Sequence, residues 1–358
     1  MITSHAPGRV ELLGNHTDYN DGVVLSAAIG FGVTMQGSKR ADDIIRLASA
    51  TLDVALEVPS ATFVKQTTAD WANYPLGVVD VFRRAGFPVG AFEADISSDL
   101  PLGAGLSSSA ALEVATARLL EKMFGWKISS LELAKLCKQA ENEFAGVNCG
   151  LLDQVSSVFG KRNHAIFLDC RAESVENIPF PEGVVLIVTH SGVKHALVGG
   201  EYNERREQCF AAAETLGVRA LRDATSALLE TYRDRLSDLQ YRRAKHVIGE
   251  NERVFAGIDF LRSGDAAGFG ALMFDSHESS IHHFENSTLE LDALVAIARE
   301  TRGVFGSRLT GGGFGGATVS LVAKDQAETI RAAFTEAYAK RTGHHCLTYL
   351  CEIADGAA

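Results

Sequence analysis

The chain has 358 residues, 46% hydrophobic and 22% charged, a balance that belongs to a globular protein of about two domains and excludes a disordered or collagen-like chain. Thirty-four basic against 45 acidic residues leave a net charge of −11, and the longest basic cluster is Arg242-Arg243 with Lys245. The basic stripe of a nucleic-acid groove is therefore absent, although an acidic chain can still hold phosphates through backbone N–H groups and magnesium. No stretch approaches the roughly 18 apolar residues of a membrane span, and the N-terminus lacks the pattern of a secretory signal. Six cysteines without a CxxC pair are expected to be reduced core thiols of a cytoplasmic protein.

In chain order, short β-like runs are expected at Val23–Ala28, Ile44–Ala48, Val54–Val58, Phe92–Ile96 and Ala165–Leu168. Among them lies a helix opening in Ser107-Ser108-Ser109 and ending at Gly125. A second helix opens at Ser129, with Glu132 at capping-box spacing, and runs to about Phe144. After a strand at Val184–Thr189 the chain turns helical, at Tyr202–Leu216, Leu239–Val254, Leu289–Ala298 and Ala327–Ala339. Strands at Val319–Val322 and Leu347–Cys351 interrupt that half. Without a steady βαβα alternation the pattern predicts two α+β domains, residues 1–178 and 179–358, rather than one doubly wound sheet.

Three glycine-rich segments are hard to explain by packing alone. The first, Pro7 to Gly22, gathers Arg9, Glu11, Asn15, His16, Asp18 and Asn20. It is either a polar surface turn or a cluster of donors and acceptors for a polyhydroxylated ligand. The second, Asp99 to Ala111, carries Gly103, Gly105 and three serines into a helix start, where N–H groups and the helix dipole favour phosphate. It lacks the lysine of a P-loop. The third, Arg308 to Val322, matches GxGxxG at Gly311, Gly313 and Gly316 but runs into a β-like segment, which excludes a dinucleotide fold and with it a nicotinamide-dependent oxidoreductase. His277, His282 and His283 form a poor zinc pattern and are read as a surface helix, with Lys161-Arg162 and Arg205-Arg206 as solvated charges.

Together and in this order the three segments resemble the GHMP kinases, most closely their galactokinase branch. The first stands as GRVELLGNHTDYNDG where that branch reads GRVNLIGEHTDYNDG; the others are LPLGAGLSSSAALEVA and GSRLTGGGFGGATVSLV. AENEFAGVNCGLLDQ, EYNERREQC and SHESSIHHFENSTLELDALV are also similar to that branch, so the likeness spans residues 6 to about 322. It implies an N-terminal domain like one in a ribosomal protein, a ferredoxin-like C-terminal domain, and an active site in the cleft between them. It further implies transfer of the γ-phosphoryl of ATP to the anomeric hydroxyl of galactose.

By the same resemblance Asp153 faces the reacting hydroxyl with Arg9 as its partner, and Asn15, His16, Asp18, Gly150 and Tyr202 contact the sugar. Gly103, Ala104, Gly105, Leu106, Ser107, Ser108 and Ser109 wrap the phosphates of ATP, Trp71 and Tyr74 lie against adenine, and Ser108 and Glu141 hold Mg2+. A monomer, or else a dimer, binding only sugar and ATP, with no nucleic acid or membrane partner, is expected. Glu11 and Asn15 stand exchanged relative to the usual pattern, which leaves N-acetylgalactosamine or arabinose as alternative sugars. The intact serine loop argues against a non-catalytic galactose and ATP sensor.

Overall fold

The structure is a computed structural model and describes residues 1–101, 103, 105–147, 149–193 and 198–358. Two strands dominate its first half, β1 (Ile2–Leu13) and β2 (Val23–Lys39), paired antiparallel around the loop 14–22. β2 is long enough to pair also with β5 (Phe92–Ser98) along its second half and with β6 (His164–Asp169) along its first. β3 (Ile44–Ser49), β4 (Val54–Pro59) and β7 (Ser174–Pro179) complete a seven-stranded sheet ordered β4-β3-β5-β2-β6-β7, with β1 also on β2. Helices α1 (Asn73–Arg84), α2 (Ser108–Phe124), α3 (Ser130–Ala140) and α4 (Leu152–Phe159) pack among themselves, and α2 and α4 lie on β1 and β2.

A four-stranded antiparallel sheet follows, ordered β11-β8-β10-β9, from β8 (Val184–His190), β9 (Val304–Thr310), β10 (Ala317–Ala323) and β11 (Leu347–Cys351). Period-2 alternation assigns its two faces. Val185 and Ile187 pack with α9 (Leu289–Glu300) and α10 (Ala327–Thr342), whereas Leu186 and Val188 join the main core. A third group of helices, α5 (Val198–Leu216), α6 (Ser226–Thr231), α7 (Asp238–Ser263) and α8 (Ala266–Ser279), lies between β8 and α9 in sequence. α7 opens with a complete capping box on Ser237 and Gln240, and its Val254, Ile258 and Leu261 enter the main core. Residues 353–358 run back along the first half, where Ala358 exchanges two backbone hydrogen bonds with His5 and Ala357 N–H donates to Ser157.

The strand expectations hold in position and fall short in length: the run at Val23 continues to Lys39, because β2 alternates partners rather than stopping at Gly30 and Gly32. β1, β7, β9, α1 and α8 were not expected. The segment Pro7–Leu13, one reading of which was a surface turn, is buried strand, and only residues 14–22 form the loop. Ser129 caps α3 as its spacing predicts, and the helix passes into a π-helical turn over Glu141–Ala145.

Two surface assignments are corrected. Arg205 is buried, donating to the carbonyls of Phe284 and Glu285 with its guanidinium over the Phe314 ring, because α5 turns that side chain inward. His277 is also buried, accepting from the Leu309 N–H through Nδ1, with Nε2 3.2 Å from Asp292. All six cysteines are free; Cys149 and Cys170 are only partly buried.

Candidate active site

Three adjoining hollows cross the structure. A cavity of about 520 Å³ is lined by Arg9, Glu11, Asn15, His16, Asp18, Gly150, Asp153 and Tyr202, together with Gly311 and Gly312. A cleft of about 680 Å³ shares Arg9, Asp153, Gly311 and Gly312 with it and adds Gly103, Gly105 to Ser109, Glu141 and the loop 313–316. A slot of about 170 Å³ shares Ser108 and Ser109 with the cleft and is lined by Trp71, Tyr74, Val33, Leu52, Ile96 and Leu112. The residues expected to hold sugar, phosphates and base thus fall into three consecutive compartments. Ala104 lies outside the described residues.

Asp153 sits where the cavity meets the cleft, in the first turn of α4, where a helix N-terminus favours a carboxylate. Its Oδ1 accepts from Arg9 Nε at 2.8 Å and Arg9 Nη2 at 2.7 Å, and its Oδ2 accepts from the Ser107 hydroxyl at 2.5 Å. The remaining arm of Arg9, Nη1, donates to the Gly105 carbonyl at 2.7 Å. One guanidinium on β1 thereby fixes the carboxylate and the glycine- and serine-rich loop together. That loop turns through left-handed conformations at Gly103 (φ 72°), Gly105 (φ 68°) and Ser107 (φ 57°). Two of the three are the residue that takes such angles without strain, which is why the segment is glycine-rich. His190 on β8 steadies it by donating from Nε2 to the Gly103 carbonyl while Nδ1 accepts from Gly192 N–H.

In the cavity the side chains are largely satisfied by one another. Asn15 donates through Nδ2 to Glu11 and to the Gly311 carbonyl, at 2.9 and 2.8 Å, and accepts at Oδ1 from Asn286. His16, itself at φ 60°, donates from Nε2 to the Gly312 carbonyl and accepts at Nδ1 from the Tyr19 hydroxyl. Burial lowers its pKa to about 4, so the ring is neutral, and its faces meet Tyr202 and Phe284 at 5.2 and 4.4 Å. Asp18 is raised above the ordinary aspartate value by burial, reinforced by the charge of Asp153. Gly150 is where it is because a Cβ there would stand 2.0 Å from Asp18 Oδ2. Asn15 and His16 therefore line the cavity with both kinds of polar atom already engaged, whereas Asp18, Asp153 and Tyr202 keep polar capacity toward it.

Sequence reasoning missed the layer behind the cavity. Arg308 on β9 is fully buried and pairs with Glu11 at 3.0 Å. Burial raises the pKa of Glu11, opposed by Arg308. Arg308 was visible inside the third motif, but nothing in its spacing said that it faced residue 11. His246, Glu250 and Asn251 on α7 also reach this region, and a 26-residue helix with many polar positions gave no signal of it.

A magnesium ion fits the cleft on donor chemistry. Ser108 and Glu141 both line it and offer hydroxyl and carboxylate oxygens, the donors Mg2+ takes alongside phosphate oxygens and water. Glu141 accepts from Gln154 Nε2 at 2.7 Å, and burial with the charge of Asp153 raises its pKa. Among the described residues no three His, Cys, Asp or Glu side chains cluster as a metal cage, and no helix is long and apolar enough to cross a membrane.

Three family models match the chain. Residues 73–161 match the GHMP kinases N terminal domain, residues 258–340 the GHMP kinases C terminal, and residues 2–39 the galactokinase galactose-binding signature. The galactokinase of Roseiflexus sp. is 41% identical over 360 residues, 99% of this chain and 92% of the relative. That of Haemophilus influenzae is 40% identical, over 99% and 94%. Among solved structures, Lactococcus lactis galactokinase complexed with galactose superposes with a TM-score of 0.94 at 31% identity, covering 99% of this chain and 94% of that one. Mevalonate kinase from Methanococcus jannaschii shares the fold alone, with a TM-score of 0.69 at 20% identity over 99% and 98%. On full-length identity, the matched signature and the superposition, the chain belongs to the galactokinase family of the GHMP kinases.

Proposed function

We propose that the protein transfers the γ-phosphoryl group of ATP to the anomeric hydroxyl of galactose, with Asp153 and Arg9 at the reacting end. The observation that carries this reading is the position of the Arg9–Asp153 pair at the junction of cavity and cleft. A sugar in the cavity directs its reacting hydroxyl at Asp153 Oδ2, which has the Ser107 hydroxyl as its partner and accepts or orients the hydroxyl proton. Arg9 holds that carboxylate in place at the junction through two N–H donors and lies within reach of charge developing on the transferred group. Such transfer has a loose transition state, so positioning and charge neutralisation supply most of the acceleration.

Asp18 and Tyr202 are the further sugar contacts, Gly150 gives Asp18 its room, and Asn15 and His16 shape the wall. The backbone of Gly103, Gly105, Leu106 and Ser107 to Ser109 cradles the phosphates, and Trp71 and Tyr74 line the base slot. Ser108 and Glu141 would hold Mg2+, whose charge offsets that of the phosphates. The proposed domains are residues 1–178 and 179–358; the change of sheet, between Pro179 and Val184, lies within a few residues of that boundary. Six free thiols favour a reducing cytoplasmic setting, and we propose a monomer.

The test is ADP release with Mg-ATP and a panel of galactose, N-acetylgalactosamine, arabinose, glucose and mevalonate. Galactose should be preferred, and Asp153→Asn should lower its kcat by about 10²–10⁴-fold while leaving galactose binding by calorimetry nearly intact. Preference for another sugar, or an Asp153→Asn variant as fast as the parent, would overturn the assignment.

A further inference from the structure

We infer that helix α7 is the template on which the sugar-binding loop 14–22 is moulded, with Glu250 and His246 as positioning residues for the proposed galactose site. The inference deepens the reading above and rests on it. Glu250 Oε2 accepts from the N–H groups of both Gly14 and Asn15, at 2.9 and 2.8 Å. One turn earlier on the same helix face, His246 Nε2 lies 3.2 Å from the carbonyl of Asn15, and its Nδ1 lies 2.9 Å from the Ser279 hydroxyl. A carbonyl only accepts, so Nε2 carries the proton and Nδ1 accepts from Ser279. The two side chains, four residues apart, therefore grip both sides of Asn15: one takes its N–H and the other supplies its carbonyl. Asn251, next along α7, accepts the N–H of Val23 at 3.0 Å and secures the far end of the loop.

The grip is buried and charge-balanced. Glu250 and His246 are both fully buried. Burial alone would favour a neutral Glu250, but Arg253, whose Nε donates to Oε1 at 2.6 Å, and Arg308 hold the carboxyl well below its usual range. The His246 ring stacks against Phe284 at 4.4 Å, and Phe284 packs at 4.4 Å against His16. His16 in turn sits at φ 60°, in the left-handed region that residues with a side chain seldom occupy. Neither Glu250 nor His246 lines the cavity, so neither meets the sugar directly. Their action on the sugar passes through residues 14–16, whereas the nucleotide slot, built on β2, β5, α1 and α2, shares no residue with α7.

The experiment compares steady-state kinetics of the full chain with Glu250→Gln, His246→Leu and His246→Gln, alongside amide hydrogen exchange. Glu250→Gln and His246→Leu should each raise the galactose KM at least tenfold while the ATP KM stays within twofold. His246→Gln, which keeps an N–H donor for Asn15, should restore most of the loss. In the parent protein the Gly14 and Asn15 amides should exchange as slowly as core amides, and in Glu250→Gln at least tenfold faster. Galactose and ATP KM rising together, an unchanged galactose KM, or fast exchange of those amides in the parent would overturn the template role. Should a variant fail to fold, the parent's amide protection decides. Absence of galactose turnover by the parent would instead count against the proposed function, and the exchange comparison would still judge the template.

Discussion

The proposed sugar cavity and the proposed phosphate cleft share a wall yet are built by opposite means. The cavity wall is made of side chains that are buried and bonded to one another: Asn15 to Glu11 and Asn286, Glu11 to Arg308, and His16 to Tyr19. The cleft wall is made of backbone, with Gly103, Gly105 and Ser107 in left-handed turns and Arg9 and His190 tied to loop carbonyls. The contrast follows from the ligands. A sugar differs from its isomers by the direction of single hydroxyls, which only fixed side chains can read. Phosphates present the same oxygens in every nucleotide, and N–H groups with a helix terminus suffice for them.

If that contrast holds, substitutions in the cavity should cost stability and sugar affinity together, and those on the nucleotide side should cost nucleotide affinity alone. The largest effect is expected for Glu11→Ala, which strands the buried Arg308 guanidinium without its partner. Urea denaturation should report a loss of about 3–5 kcal/mol, and the double variant Glu11→Ala/Arg308→Met should recover much of it. Recovery failing in the double variant would mean that packing, not charge, dominates there. Next is Gly150→Ala, whose Cβ must displace the Asp18 carboxylate. Kinetics should show roughly a 10²-fold fall in kcat/KM for galactose with an unchanged ATP KM.

A smaller effect is expected from pH. Burial holds His246 near pKa 3 and His16 near 4, below the unfolded value of 6.5. Between about pH 6.5 and those values the unfolded chain binds protons that the folded chain refuses, so stability from these rings is lost as pH falls. Each should account for about 2 kcal/mol between pH 7 and pH 5. Buried Glu11, Asp18, Glu113 and Glu141, raised by desolvation, act in the opposite sense, so the measurement is a difference. The pH dependence of urea midpoints should be shallower in His246→Gln than in the parent. The mildest change is Trp71→Ala on the nucleotide side, for which the ATP KM should rise about 10-fold, the order of one stacked base, with melting temperature and galactose KM unmoved.

The same contrast explains what could be read from sequence. The cleft was legible because backbone chemistry leaves a written trace: left-handed turns select glycine, and helix starts select serine. Ser107 to Ser109, Gly103 and Gly105 announced themselves before any geometry was known. The outer rim of the cavity was legible through the dense polar run from Arg9 to Asn20, and the resemblance to a known family connected it with Asp153. The layer behind was not. Arg308, Glu250 and His246 meet residues 11, 14 and 15 across 297, 236 and 231 positions, and a buried polar residue on a strand or helix looks like a solvated one until its neighbour is known. Arg205 and His277 were misread as surface for the same reason. Elements such as β1 and α8 escaped because glycines and polar residues that serve the site or close packing break the hydrophobic period.

The register of β1 carries one further consequence. Irregularities between Pro7 and Arg9 and between Glu11 and Leu13 bracket the short stretch whose alternate residues, Arg9 and Glu11, face the cavity while Val10 and Leu12 are fully buried in the core. Because side chains alternate strictly along a strand, inserting or deleting one residue here would drive the guanidinium into the hydrocarbon and turn a valine toward the ligand. Over evolutionary time this stretch should accept exchanges of one residue for another far more readily than any change in its length.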